Sequence, residues 1–283
     1  MKRHRIVLTR ITLTALLLAI ACGQSDGAEP SWKSLPVHLE GGIVVYGDSR
    51  SGHDEHRRIV EGIEHVRPLA VFHTGDLVNE GTDPGDWQIF DGITADLLAR
   101  TAFYPALGNH ERESDLYFDH FDLPGNERWY TVALPPMKFI VLDTESSLAV
   151  GSTQYQWLRS QLETADAGDA LAAVFHYPPY STGYHAEDEK GLRKSIVPLF
   201  EAYDVDVVFT GHDHDYERSL VNGVVYVVTG GGGGPLRGRS RSSPFSQVFA
   251  SVYHFCALYV EEGKIMVDVW DSNVNLVDRF EVE

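Results

Sequence analysis

Residues 211–218 read Gly-His-Asp-His-Asp-Tyr-Glu-Arg. They follow Val205, Val207, Val208 and Phe209, an apolar run with the composition of a buried strand, and Gly211 ends it. His212 and His214 are two positions apart, so in an extended chain both imidazoles leave the same face. Neutral imidazole is a common ligand for zinc, iron and manganese-type ions, and two convergent rings supply half of a site. A polar loop with two solvated histidines is the plain alternative, and the rest of the chain decides between the two.

Working outward, four more polar clusters stand at the ends of apolar runs. The strand expected at 43–46 leads into Gly47-Asp48-Ser49-Arg50, and that at 69–73 leads to Gly75-Asp76-Leu77-Val78-Asn79. Residues 103–107 run into Gly108-Asn109-His110-Glu111, and the strand at 170–175 into His176-Tyr177-Pro178-Pro179. Apolar spacing predicts helices at 59–66, 87–98, 154–163 and 191–203. Antiparallel pairs are expected at 128–133 with 138–143 and at 253–260 with 264–270, with further strands at 224–229 and 276–282. This is a layered α/β domain with much antiparallel strand. Open α/β sheets bind ligands outside the carboxyl ends of their strands, where these clusters fall. One Gly-Asp after a strand is an ordinary turn; five clusters, each offering Asp, Asn or His, point to a site.

The chain has 283 residues, 43% hydrophobic and 23% charged, enough for a substantial core. A basic start (Lys2, Arg3, Arg5, Arg10) and an apolar run at 11–21 predict a signal peptide over 1–22, too short to span a membrane. Ala21-Cys22-Gly23 resembles a bacterial lipobox, which implies lipidation at Cys22; ordinary cleavage is the alternative, because Ala19 stands where leucine is preferred. The expected product is exported, periplasmic or membrane-anchored through Cys22 alone, with a polar linker at 23–40 and one domain at 41–283. Loss of the four leader bases lowers Lys and Arg from 23 to 19 against 41 acidic residues, so the formal charge moves from −18 to −22. Such a surface repels nucleic acid. Cys256 is then the one remaining thiol, so no intramolecular disulfide is expected.

Taken in order, the blocks Gly47-Asp48, Gly75-Asp76, Gly108-Asn109-His110-Glu111, His176 and Gly211-His212-Asp213-His214 resemble the calcineurin-like metallophosphoesterase superfamily. The Tyr216-Glu217-Arg218 tail, the run 224–235 and the closing strands look more specifically like purple acid phosphatases. The resemblance covers about 41–283. It implies a four-layer α/β/β/α sandwich with mixed sheets and a dinuclear centre of iron, manganese or zinc that hydrolyses small phosphate esters. Two ions neutralise phosphoryl charge and lower the pKa of a bound water. Carried over by position, Asp76 would bridge the ions. Asp48 and His214 would hold the first, and Asn109, His176 and His212 the second, with a metal-bound hydroxide as nucleophile. His110 would face the substrate, for phosphate stabilisation or proton donation, and His185 would be a second substrate-facing histidine.

Two positions depart from the pattern. Arg50 stands where the superfamily has histidine, and Asn79 where purple phosphatases have tyrosine. The first ion therefore lacks a ligand, which Asn79, His53, His56 or water would replace. Arginine is a poor ligand and a good phosphate clamp, so Arg50 is assigned to substrate. The missing ligand also supports an alternative, a phosphoryl-ligand-binding protein on a decayed scaffold. The glycine run 230–234 lacks a P-loop ending, and 237–243 reads as solvated loop.

Overall fold

The computed structural model describes residues 31–166 and 168–282. The expected signal peptide, Cys22 and residues 23–30 of the linker lie outside them. Among the described residues, no helix is long and apolar enough to cross a membrane. Residues 31–40 are not a free tether, as the linker assignment had it. Two short 3-10 turns, Trp32–Ser34 and Val37–Leu39, bury Trp32 and Leu39, and Trp32 packs on Phe255 with ring centroids 5.7 Å apart.

Among the described residues, thirteen strands form two sheets. The first contains β1 (Ile43–Tyr46), β2 (Ala70–His73), β3 (Ala102–Pro105), β11 (His254–Glu261), β12 (Lys264–Asp271) and β13 (Leu276–Val282), in the order β13-β12-β11-β1-β2-β3. The second contains β4 (Tyr130–Leu134), β5 (Met137–Val141), β6 (Ala170–Val174), β7 (Val207–Thr210), β8 (Tyr216–Val221), β9 (Val224–Thr229) and β10 (Ser246–Ala250), in the order β10-β8-β9-β7-β6-β5-β4. β1, β2 and β3 run parallel, as do β5, β6, β7 and β9; the flanking strands are antiparallel, so both sheets are mixed.

Side-chain alternation builds the layers. Along β5, Phe139 and Val141 enter the core between the sheets, while Ile140 and Leu142 face the other way. There they meet Leu158 and Leu162 of α4 (Thr153–Glu163) and Phe200 of α5 (Val197–Ala202). Phe72 stacks on Phe139 at 4.1 Å, joining the two inner faces. Phe72→Ala should cost about 3–5 kcal/mol, the usual toll of a buried aromatic deletion. On the far side of the first sheet lie α1 (His53–Val66) and α2 (Pro84–Leu98). The buried stripe of α1 is His56, Ile59, Val60, Ile63 and Val66, a helical spacing. Arg67 in the left-handed conformation and Pro68 after it stop α1. Asp83 caps α2 and Pro84 opens it. A short helix, α3 (Asp115–His120), precedes the β4–β5 hairpin in sequence.

The helix expected at 191–203 is confined to Val197–Ala202, because Pro198 belongs in a first turn where no N–H is required. Residues 188–196 form successive turns instead, with Asp188 accepting from the Leu192 and Arg193 amides. The layer order is helices, sheet, sheet, helices, and the carboxyl ends of β1, β2, β3, β6 and β7 meet on one edge.

Candidate metal centre

Each cluster leaves its strand through a sharp turn. Asp48, Asp76 and His212 have φ of 57°, 59° and 69°, a left-handed conformation that costs non-glycine residues about 1–3 kcal/mol each. The strain is held by bonds between the clusters. The Asp48 amide donates to the Gly75 carbonyl at 3.0 Å, Gly211 N–H to the His176 carbonyl at 2.9 Å, and the His212 amide to the Asp48 carboxylate at 3.0 Å. Two glycines give the carboxylates room. A Cβ on Gly108 would lie 2.3 Å from Asp76 Oδ1, and one on Gly211 2.2 Å from Asp48 Oδ2.

Two ligand groups share Asp76. In the first, His176 Nδ1 donates to the Thr74 carbonyl at 3.0 Å, which leaves Nε2 to face Asn109 Oδ1 at 3.1 Å, His212 Nδ1 at 3.2 Å and Asp76 Oδ1 at 3.4 Å. Two imidazole nitrogens, an amide oxygen and a carboxylate oxygen thus converge from four different strand ends. This donor set fits iron, manganese or zinc. In the second group, His214 Nδ1 donates to the Pro235 carbonyl at 2.9 Å, aiming Nε2 at Asp48 Oδ1 3.5 Å away. Asp48, Asp76 and His214 each offer an atom within 4.8 Å of the others, the span of a cation site. Arg50 lies against the same group: its Nε donates to Asp76 Oδ2 at 3.1 Å and its Nη2 to His214 Nε2 at 3.4 Å.

The electrostatics follow from this crowding. Burial would lower His176, but Asp76, Asp48 and Glu111 outweigh it and hold the ring above its ordinary value. Burial would raise Asp76, and His176, His110 and Arg50 reverse that, lowering it. His212 is pushed far down by burial and by the neighbouring His176, His185, His214 and Arg237. Its imidazole stays neutral, as a ligand must be.

His110 donates from Nδ1 to the Asn79 carbonyl at 2.6 Å, and its Nε2, 3.8 Å from Asp76 Oδ2, opens toward solvent. His185 packs on His212 with ring centroids 4.1 Å apart. Both of its nitrogens are engaged, Nδ1 by Glu189 at 2.8 Å and Nε2 by Arg237. Two of the proposed stand-ins for the missing ligand are engaged elsewhere. Asn79 Oδ1 accepts from Ser51, and His56 Nε2 pairs with Tyr46 Oη deep in the helix layer. His53 opens α1.

Three further residues stand at the site without a role in the sequence reading. Glu111 is fully buried and accepts from the amides of Gly108, Asp76 and Leu77 at 2.7, 2.9 and 2.8 Å, locking the second and third clusters together. Burial and the facing Asp76 push it up to about 7. Its place after Asn109-His110 was the available signal. Glu189 touches both His185 and, at 3.4 Å, His212 Nε2. Arg237, expected in a solvated loop, instead bonds His185 and lies 4.6 Å over the Tyr184 ring. No local pattern marks Glu189 or Arg237.

Fold and site together define a metallophosphoesterase architecture. The family model for calcineurin-like phosphoesterases matches residues 42–216, and the chain belongs to that family. It is 29% identical over 284 residues to purple acid phosphatase 21 of Arabidopsis thaliana, covering 89% of this chain and 64% of that protein. It is 26% identical over 266 residues to probable inactive purple acid phosphatase 27 of the same plant, covering 73% of this chain and 44% of that one. The chain thus spans about half to two thirds of these relatives. Among solved structures, the purple acid phosphatase PPD1 of yellow lupin superposes with a TM-score of 0.77 at 21% identity, over 84% of this chain and 53% of that one. That likeness is one of fold.

Proposed function

We propose that this chain is a metal-dependent hydrolase of small phosphomonoesters. The convergence of Asp76, Asn109, His176 and His212 beside an open His110 carries the reading. Asp48 and His214 complete a dinuclear set of iron, manganese or zinc. When bound, the ions neutralise charge on the phosphoryl oxygens and furnish a nucleophile from water at neutral pH. The protein's own work is positional. Asp76 fixes the reacting centre between two strand ends, and His110 Nδ1 is tied to the Asn79 carbonyl so that Nε2 faces the cleft. Protonated at Nε2, His110 gives its proton to the leaving alkoxide as the ester P–O bond breaks, while the water oxygen becomes part of the released phosphate. The charge of −22 beyond the leader supports a small ester over a nucleic-acid substrate. The basic and apolar leader supports export, with Cys22 as the anchor; mass spectrometry of the mature N-terminus tests this.

Arg50 favours a second reading, because its guanidinium stands among the first-ion acceptors. A chain that binds phosphorylated ligands without turning them over would explain it, and a relative bears the word inactive in its name. Hydrolysis of a chromogenic phosphomonoester and diester, with manganese, zinc or iron added to the stripped protein, separates the readings. Turnover that needs the metal, with the monoester preferred, supports the first. Phosphate binding with no turnover under any metal overturns it.

A further inference from the structure

The ligand atoms of Asp48, Asp76 and His214 surround a space of cation size, and one cation of the chain already reaches them. Arg50 donates from Nε to Asp76 Oδ2 and from Nη2 to His214 Nε2, with its side chain 14% exposed. The loop is shaped to deliver it. Asp48 and Ser51, at φ of 57° and 74°, fold the segment back, and the Arg50 amide donates to the Asp76 carbonyl at 3.3 Å. Ser51 Oγ then pins the loop to Asn79. Among the described residues, the other subsite, on Asn109, His176 and His212, has no such competitor: the contacts of these donors are with one another, with Asp76, and with Thr74, Glu189 and the aromatic rings beside them.

We infer that Arg50 is an intramolecular competitor for the first metal subsite, so that the two subsites load unequally. A divalent ion there needs the Asp76 oxygen and the His214 lone pair that the guanidinium holds. Arginine cannot shed its charge to make way, so ion and guanidinium exclude one another. Desolvated Asp48 and Asp76 demand a positive partner in either state. The Asn109–His176–His212 subsite fills first and tightly; the Asp48–His214 subsite fills only after Arg50 has swung away. This inference rests on the metal-dependent reading above.

The test is metal stoichiometry, not turnover. The chelator-stripped protein is dialysed against buffered free manganese at graded concentrations, and manganese per chain is read by inductively coupled plasma mass spectrometry. The wild type should load in two steps, the second needing about 100-fold more free metal, a factor of ten in Kd for each 1.4 kcal/mol. Arg50→Ala should bring the second step toward the first, and Arg50→His, which supplies an imidazole as well, should bring it closer. Arg50→Met keeps the apolar stem and serves if the alanine variant does not fold, as judged by circular dichroism. A wild type that takes both ions in one step, or variants that keep the wild-type gap, would overturn the inference and leave the hydrolase reading standing. A chain that binds no metal at any concentration would overturn both.

Discussion

The two halves of the metal centre share Asp76 and differ in what faces it. On one side Asn109 Oδ1 and His212 Nδ1 converge on His176 Nε2 beside Asp76 Oδ1. On the other, the Arg50 guanidinium sits on Asp76 and His214, with Asp48 3.5 Å from the same His214 nitrogen. Both halves are buried and built on the same sharp strand-end turns, so fold alone does not separate them. One residue, Arg50, adds a competing cation to the subsite that already has fewer donors. The comparison teaches that a superfamily scaffold can be complete in backbone and still be altered in its charge.

The largest expected effect breaks both halves at once. Asp76→Ala removes the shared carboxylate and should abolish turnover and lower bound metal, measured together by phosphomonoesterase assay and elemental analysis. Full activity in that variant would refute the assignment of Asp76. Next come substitutions that separate the halves. His176→Ala should eliminate the tight loading step. His214→Ala should leave that step intact and remove only the weak one. Equal losses from the two would erase the distinction. Smaller still is His110→Ala, which should lower kcat by about 10²–10⁴-fold, the usual worth of a general acid, with metal content unchanged. Metal loss in that variant would make His110 a ligand.

Much of this centre was legible because its signals are local. Asp48, Asp76, Asn109 and His212 each follow a glycine at the end of an apolar run, and a strand end is where an α/β sheet places its chemistry. The sheets were less legible where burial contradicts hydrophobicity. β8 buries Glu217 and Ser219 and exposes Leu220, so no apolar alternation announced it. The partly buried β10 gave no pattern either. Glu189 and Arg237 reach the site from loops whose sequence carries no period, and only the folded chain brings them to His185. Arg50 was visible as a departure, but its direction was not. Sequence spacing says which turn a residue occupies; two left-handed residues around it decide that it points inward rather than to solvent.

The smallest effect uses histidines on opposite sides of the first sheet. His56 sits in the helix layer against Tyr46 and Phe90, and burial, with His53 and Arg57 nearby, pushes it down to about 3. His176 lies at the metal edge, where carboxylates hold it raised in the metal-free chain. The signs are therefore opposite. The unfolded chain binds a proton at His56 below about pH 6.5 and the folded chain does not, so this group's stability is present above 6.5 and is lost on acidification toward 3. For His176 the folded chain holds the proton longer, so its contribution is full below about 6.5 and is lost as pH rises through the folded value. His56→Gln, which keeps a polar partner for Tyr46 and does not titrate, should flatten the acid loss of stability by about 1 kcal/mol per pH unit between pH 6 and 4.5. Denaturant unfolding of the stripped wild type and variant across that range measures the difference. Parallel curves would mean that His56 takes up its proton within the fold, and the helix layer would be no less accessible to charge than the metal edge.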